Sequence, residues 1–198
     1  MSIYVRDTNQ TVFLFESGTY ATPSGTSGNW IGLVTNNEIS EMENVSTIRY
    51  AGTNNRNFGQ IVGGPKDYEV ALTYHPQDFR MLAFALGSCV ETSGATSTHV
   101  ITELNSDGRY AFTSGTSQLT NFPSMTIKDS KKGFADGQHL VRTINGAVVD
   151  TWKLTATNGE PLVVEATLKG QAFTLGSKAT DIVNIVNKDD TRPYIWSD

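Results

Sequence analysis

The chain has 198 residues, 38% of them hydrophobic and 18% charged, which suits a single domain with a modest core, many turns and many exposed strands. A net charge of −5, with no basic run longer than Lys131-Lys132, argues against a grip on nucleic acid, which depends on clustered Lys and Arg. The single cysteine, Cys89, excludes an intrachain disulfide and a multi-cysteine metal site, and no apolar run approaches the ~20 residues that cross a membrane as a helix.

The start, Met1 to Arg6, lacks the basic region and apolar stretch of a signal peptide, so synthesis and folding in a cytoplasm are expected. Val12, Phe13, Leu14 and Phe15 are too apolar for a disordered tail, so this arm, about residues 1–28, should dock on something, and assembly contacts with other copies are expected of it and of the C-terminal arm. Thr19 to Asn29 is Gly/Ser/Thr-rich and reads as irregular. Val45 to Tyr50 and Phe58 to Val62 are candidate strands, with Gly52 to Pro65 an extended hairpin or a loop. Gly63-Gly64-Pro65-Lys66 resembles a phosphate cradle only superficially, because the proline removes a donor and no helix follows; a turn is the better reading.

The clearest strand is Asp67 to Tyr74, where Tyr68, Val70, Leu72 and Tyr74 share one face and Asp67, Glu69, Ala71 and Thr73 the other. His75-Pro76 then reads as a helix opening, with Asp78 in the first turn and Phe79, Leu82, Ala83 and Leu86 as the core-facing stripe. Gly87 ends this helix, about residues 76–86, and Cys89 follows as a small semi-buried residue. Thr98 to Leu104 and Pro123 to Lys128 are further strands, separated by the polar stretch Asn105 to Asn121; Lys131-Lys132 reads as a solvated turn. Asn145-Gly146 and Asn158-Gly159 are strong hairpin signals, because a type I′ turn needs positive φ at both central residues. They predict a three-stranded meander from His139 to Lys169, with strands at His139 to Ile144, Val148 to Ala156 and Leu162 to Lys169. The C-terminal arm, about residues 181–198, again carries apolar residues, Tyr194, Ile195 and Trp196, that should dock.

Chemical motifs are sparse. The histidines His75, His99 and His139 lack zinc-site spacing, and no nucleophile elbow, metalloprotease helix or P-loop appears, so no catalytic, cofactor or metal residue is assigned. Carboxylates are scattered, with Glu38, Glu41 and Glu43 as the one loose cluster. Trp30, Tyr50, Phe58, Tyr194 and Trp196 lie in extended or terminal segments; ordinary core packing is the plain explanation, and burial by neighbouring copies the sharper one.

The order of several phrases resembles the tail tube (major tail) proteins of long-tailed bacterial and archaeal viruses. Trp30 to Val34 is similar to that family's first strand and Val45 to Ala51 to its second. "YHPQDFRMLAFALGS" resembles its strand and short helix, Arg142 to Gln171 its hairpin and strand, and "RPYIWSD" its ending, whereas the Ser/Thr-rich stretch Ser88 to Asn121 departs from the family's pattern. The resemblance implies a mainly β fold, an antiparallel β-sandwich or half-barrel with one flanking helix. It also implies a non-enzymatic virion protein whose hexameric rings stack around a channel for DNA. Implied partners are identical copies, the tape measure, the tail terminator and the baseplate or tip, and DNA passing without specific binding. Candidate subunit contacts are Arg49, Tyr50, Arg56, Phe58, Arg192, Tyr194 and Trp196; Asp67 and Glu69 are candidate channel-lining groups. Two alternatives share the composition: an inner tube subunit of a contractile injection or secretion machine, and a monomeric β-sandwich that binds carbohydrate or mediates adhesion. An enzyme whose site assembles only in the fold is a third, and would show a pocket with a perturbed carboxylate or histidine.

Overall fold

The computed structural model describes residues 5–16, 20–23, 28–48, 60–77, 79–92, 98–103, 112–113, 124–133, 135–186 and 194–195, with the backbone alone at 5–9, 47–48, 60–62, 88–92, 98–103, 112–113 and 186. The elements run β1 (Val5–Glu16), β2 (Gly28–Asn29), β3 (Gly32–Ile48), β4 (Gln60–Pro76), α1 (Arg80–Leu86), β5 (Gly87–Thr92), β6 (Thr98–Glu103), β7 (Phe112–Thr113), β8 (Ser124–Gly133), β9 (Leu140–Thr155), β10 (Val163–Gly170), β11 (Ala172–Gly176) and β12 (Ile185–Val186). Nine strands form one sheet in the order β12-β2-β1-β8-β9-β10-β4-β3, with β11 also on β9; β6-β5-β7 form a small second sheet. All pairings in the large sheet are antiparallel except β12 on β2. The fold is therefore mainly antiparallel β with one short helix, as expected.

The large sheet rolls up. Phe13 of β1, Ile127 of β8, Ile144 of β9, Leu168 of β10 and Val70 of β4 belong to one buried cluster, although β1 and β4 stand four places apart in the sheet. The edge strand β3 returns to β1, where Asn37 Nδ2 donates to Thr11 Oγ1 at 3.2 Å. Helix α1 closes this interior with Met81 and Phe84, and the Phe84 ring lies 4.7 Å from that of Phe15. The buried face of α1 is thus Met81, Ala83 and Phe84, whereas Phe79 and Leu86 of the expected stripe are exposed. Pro76 ends β4 rather than opening the helix, because Gly32 pairs opposite it and holds the chain extended. Gly87 caps α1 at φ +100°, in the expected C-terminal role.

Three further expectations change. Val12-Phe13-Leu14-Phe15 belongs to β1, which pairs with β2 on one side and β8 on the other. Every position of that run is apolar because both faces are covered: Phe13 and Phe15 by the main core, Val12 and Leu14 by Val183 and Ile185 from near the C-terminus. These N-terminal apolar residues are buried by the chain itself, not by another copy. Second, β3 is one 17-residue strand, so Trp30 to Val34 and Val45 to Ala51 are not two separate strands. Gly63 to Lys66 and Lys131-Lys132 likewise lie in β4 and β8 rather than in turns.

Third, Asn145-Gly146 is not a hairpin. β9 continues through it, pairing with β11 before the glycine, with β10 after it, and with β8 on both sides across a register shift. Gly146 does take the positive φ, +65°, but it spends it on a kink in mid-strand. Asn158-Gly159 does turn between β9 and β10, with Gly159 at φ +78°. Cys89 follows the helix end as expected, on β5 opposite Ile101; its side chain is outside the described set.

Candidate functional site: an exposed ribbon and a polar groove

The first feature is built by strand length alone. β10 supports β4 from Tyr68 to Tyr74, and nothing pairs with β4 before Tyr68 except β3. Residues 41–48 and 60–67 therefore run on as a two-stranded ribbon beyond the sheet. Every residue from Glu41 to Ser46 is exposed, including Met42 at 67% and Val45 at 55%. A two-stranded ribbon is marginal in water by itself, and an open edge with apolar side chains invites pairing. What holds it is local: Lys66 Nζ donates to Glu41 Oε1 at 2.7 Å and lies 3.8 Å from Glu43 Oε2. The Glu41 hydrogen bond, then the two carboxylate charges, raise the Lys66 ammonium above its ordinary 10.5.

The second feature is where the interior of the rolled sheet turns polar. Along the inner face, the row Phe13–Ile127–Ile144 is apolar, while the next row, Thr11–Asp129–Arg142, is polar and charged. Asp129 is only 3% exposed and is paired with Arg142, whose Nε and Nη2 donate to Oδ2 at 3.0 and 2.5 Å. Thr11 Oγ1 lies at 3.5 Å from Asp129 Oδ1, so both carboxylate oxygens have a partner. Around this row opens a groove of about 540 Å³, walled by the start of β3, by Lys131 and Lys132 of β8, and by Trp30. Neither lysine forms an ion pair among the described residues. Asn37 Oδ1 is buried there without a hydrogen-bond partner.

A third polar cluster sits behind the β9 kink. Glu16 is 7% exposed, and its carboxylate accepts from Ala21 N (2.8 Å), Ser124 Oγ (2.5 Å), Thr126 Oγ1 (2.7 Å) and Gly146 N (3.0 Å). Tyr20 Oη donates to Gly146 O at 3.0 Å, and burial, then the Glu16 charge, push its phenol above the usual 10.0. A carboxylate saturated by four donors is a structural anchor, not a general base reaching for substrate.

No family model and no curated protein matches the sequence. Among solved structures, a chain of the anti-feeding prophage (AFP) baseplate is similar at 12% identity with a TM-score of 0.49, over 89% of this chain and 97% of that one. The SPP1 tail tube is similar at 12% identity with a TM-score of 0.47, over 85% of this chain and 77% of that one. The strand arrangement and the sequence phrases, rather than these likenesses, carry the functional reading.

Of the expected contact residues, Arg49, Tyr50, Arg56, Phe58, Arg192 and Trp196 lie outside the described residues. Tyr194 is half exposed and tied to its own chain: its carbonyl accepts from Leu162 N at 2.9 Å and its hydroxyl donates to Gln77 O at 3.2 Å. Trp30 is buried by its own chain, at 8% exposure. Asp67 and Glu69 lie on the wet face of β4, where Asn44 Nδ2 approaches Asp67 Oδ2 at 3.5 Å and Lys169 Nζ donates to Glu69. That face is mixed in sign: rows Asn36–Thr73–Glu165–Lys153 and Ser40–Glu69–Lys169 alternate carboxylate and ammonium. His75 and His139 hold backbone groups, Leu162 O at 2.9 Å and Gly133 N at 3.0 Å. Among the described residues, no group of three His, Cys, Asp or Glu could hold a metal. Sequence reasoning missed Glu16, whose partners on β8 and β9 lie more than 100 residues away, and Asp129 and Arg142, which meet only through the register of β8 and β9.

Proposed function

We propose that this chain is a structural, non-enzymatic subunit that polymerises with copies of itself, as a tail tube protein whose hexameric rings stack around a channel for viral DNA. The observation that carries the reading is the ribbon: two paired strands running past the sheet, exposed at every residue from Glu41 to Ser46, with a β3 edge that pairs with no strand among the described residues and apolar Met42 and Val45 in the open. Such a ribbon gains most by lying against another subunit, and head-to-tail contacts between copies close into rings when the rotation allows. The ordered phrases of the sequence support the same reading. The saturation of Glu16 and Asp129 by their own donors supports a structural rather than a catalytic role.

In this proposal Asp67 and Glu69 belong to the channel wall, a face in which carboxylates are interleaved with Lys153 and Lys169. Such a wall holds DNA weakly, since its ammonium groups are already paired with carboxylates. The tape measure, tail terminator and baseplate or tip are the further partners, and the virion tail the location.

The test is direct. Purified protein at rising concentration, followed by sedimentation and negative-stain microscopy, is expected to give rings or tubes. A monomer at every concentration overturns the proposal.

A further inference from the structure

We infer that the polar groove is the docking site for the ribbon of a second copy, seated through its acidic side. The inference rests on the self-assembly reading and names the contact that would make it. Charge complementarity selects the occupant. The groove carries the cations Lys131, Lys132 and Arg142 against one carboxylate, Asp129, and Arg142 already neutralises that carboxylate. The two lysines are thus left without carboxylate partners among the described residues. The face of the ribbon that holds Lys66 carries two carboxylates, Glu41 and Glu43, against that one cation.

Two further observations fit a strand-like occupant. The groove wall includes Leu33 to Asn37 of β3, whose outer edge pairs with no strand among the described residues, so its backbone groups can accept an added strand. Leu33, 41% exposed at the groove, offers an apolar surface to Met42 and Val45. Ribbon and groove are different surfaces of the same chain, so the contact is head-to-tail and each copy both gives and receives one.

Charge reversal tests it. The pair Lys131→Glu/Lys132→Glu makes the groove acidic and is expected to raise the concentration needed for assembly at least tenfold. Glu41→Lys/Glu43→Lys, which makes the ribbon basic, is expected to do the same. Combining all four substitutions in one chain restores opposite signs and should recover assembly, as should mixing the two double variants, in which each groove meets a ribbon of opposite sign. Circular dichroism confirms that each variant is folded; if a reversal unfolds the chain, Lys131→Gln/Lys132→Gln takes its place. Groove variants that assemble like the wild type, or double variants that fail to rescue each other, overturn the contact. A wild type that never assembles instead sinks the assembly reading itself, so the two failures are distinguishable.

Discussion

The β3–β4 ribbon and the kink of β9 are both departures from a regular sheet, and they are held in opposite ways. At the kink, Gly146 takes φ +65°, and its N–H and carbonyl are both claimed by side chains, Glu16 and Tyr20. Glu16 lies 130 residues away in sequence, and Gln171 N adds a bond to Asn145 O at 2.9 Å. Among the described residues the ribbon has its own strand pairing, the Lys66 bridge to Glu41 and Glu43, and a long Asn44–Asp67 contact, all on a wet surface. The difference shows where the chain places its own stability and where it leaves interactions to be completed. Irregularity in the interior is over-determined; regularity at the periphery is under-supported.

The largest expected effect lies at the kink. Glu16→Ala removes the acceptor of Ser124 Oγ and Gly146 N, both buried, and of Ala21 N, and leaves Thr126 Oγ1 only Asn145 Oδ1; it should destabilise the fold by about 3 kcal/mol, since breaking a buried hydrogen-bonded charge network costs of that order. Urea unfolding measures it; a loss below ~1 kcal/mol would mean that the carboxylate is not the anchor. Gly146→Ala should cost about 2 kcal/mol from left-handed strain, and its added Cβ would stand 2.9 Å from Tyr20 Cζ. In a Tyr20→Ala background the strain remains and this clash goes, so the penalty of Gly146→Ala should shrink without vanishing.

Tyr20→Phe is smaller, about 0.5–1 kcal/mol for one partly exposed hydrogen bond. Its pH dependence has a definite sign. A phenol raised in the folded state contributes stability below the unfolded value of 10.0, and that contribution is lost as pH rises through the higher folded value. Ultraviolet titration of the wild type should therefore show one tyrosine ionising later than the rest, absent in Tyr20→Phe. Lys66 and Lys169 have the same sign, with raised ammoniums whose contribution fades only above their ordinary 10.5.

How much of this was legible in the sequence depends on burial. Asp67 to Tyr74 and Leu162 to Lys169 alternate because each has one wet and one dry face, and both were readable as strands. Thr35 to Asn44 of β3 carries no such alternation, because toward the ribbon both its faces are wet; pairing with β4 alone makes it a strand. Val12 to Phe15 hid its strand for the converse reason, both faces being dry. Asn145-Gly146 announced its positive φ correctly, but the choice between a hairpin and a kink was made by Glu16 and Tyr20, which no local window contains. The groove was illegible for a similar reason: Thr11, Asp129 and Arg142 become one row only through the register of β1, β8 and β9.

The smallest expected change in stability tests the other half of the comparison. Met42→Thr/Val45→Thr removes apolar surface that is already in water, 67% and 55% exposed, and keeps β-branched residues in a strand. Surface changes of this kind stay within about 0.5 kcal/mol, so urea and thermal unfolding of the subunit should barely move. Assembly should respond quite differently. If the ribbon is completed by another copy, those side chains are buried there, and burying a Met or Val side chain is worth about 1.5–3 kcal/mol. The variant should therefore need more than tenfold higher concentration to form rings while folding as before. Equal assembly would show that the ribbon, however bare, is not where copies meet; a collapse in stability would show that it already leans on its own domain.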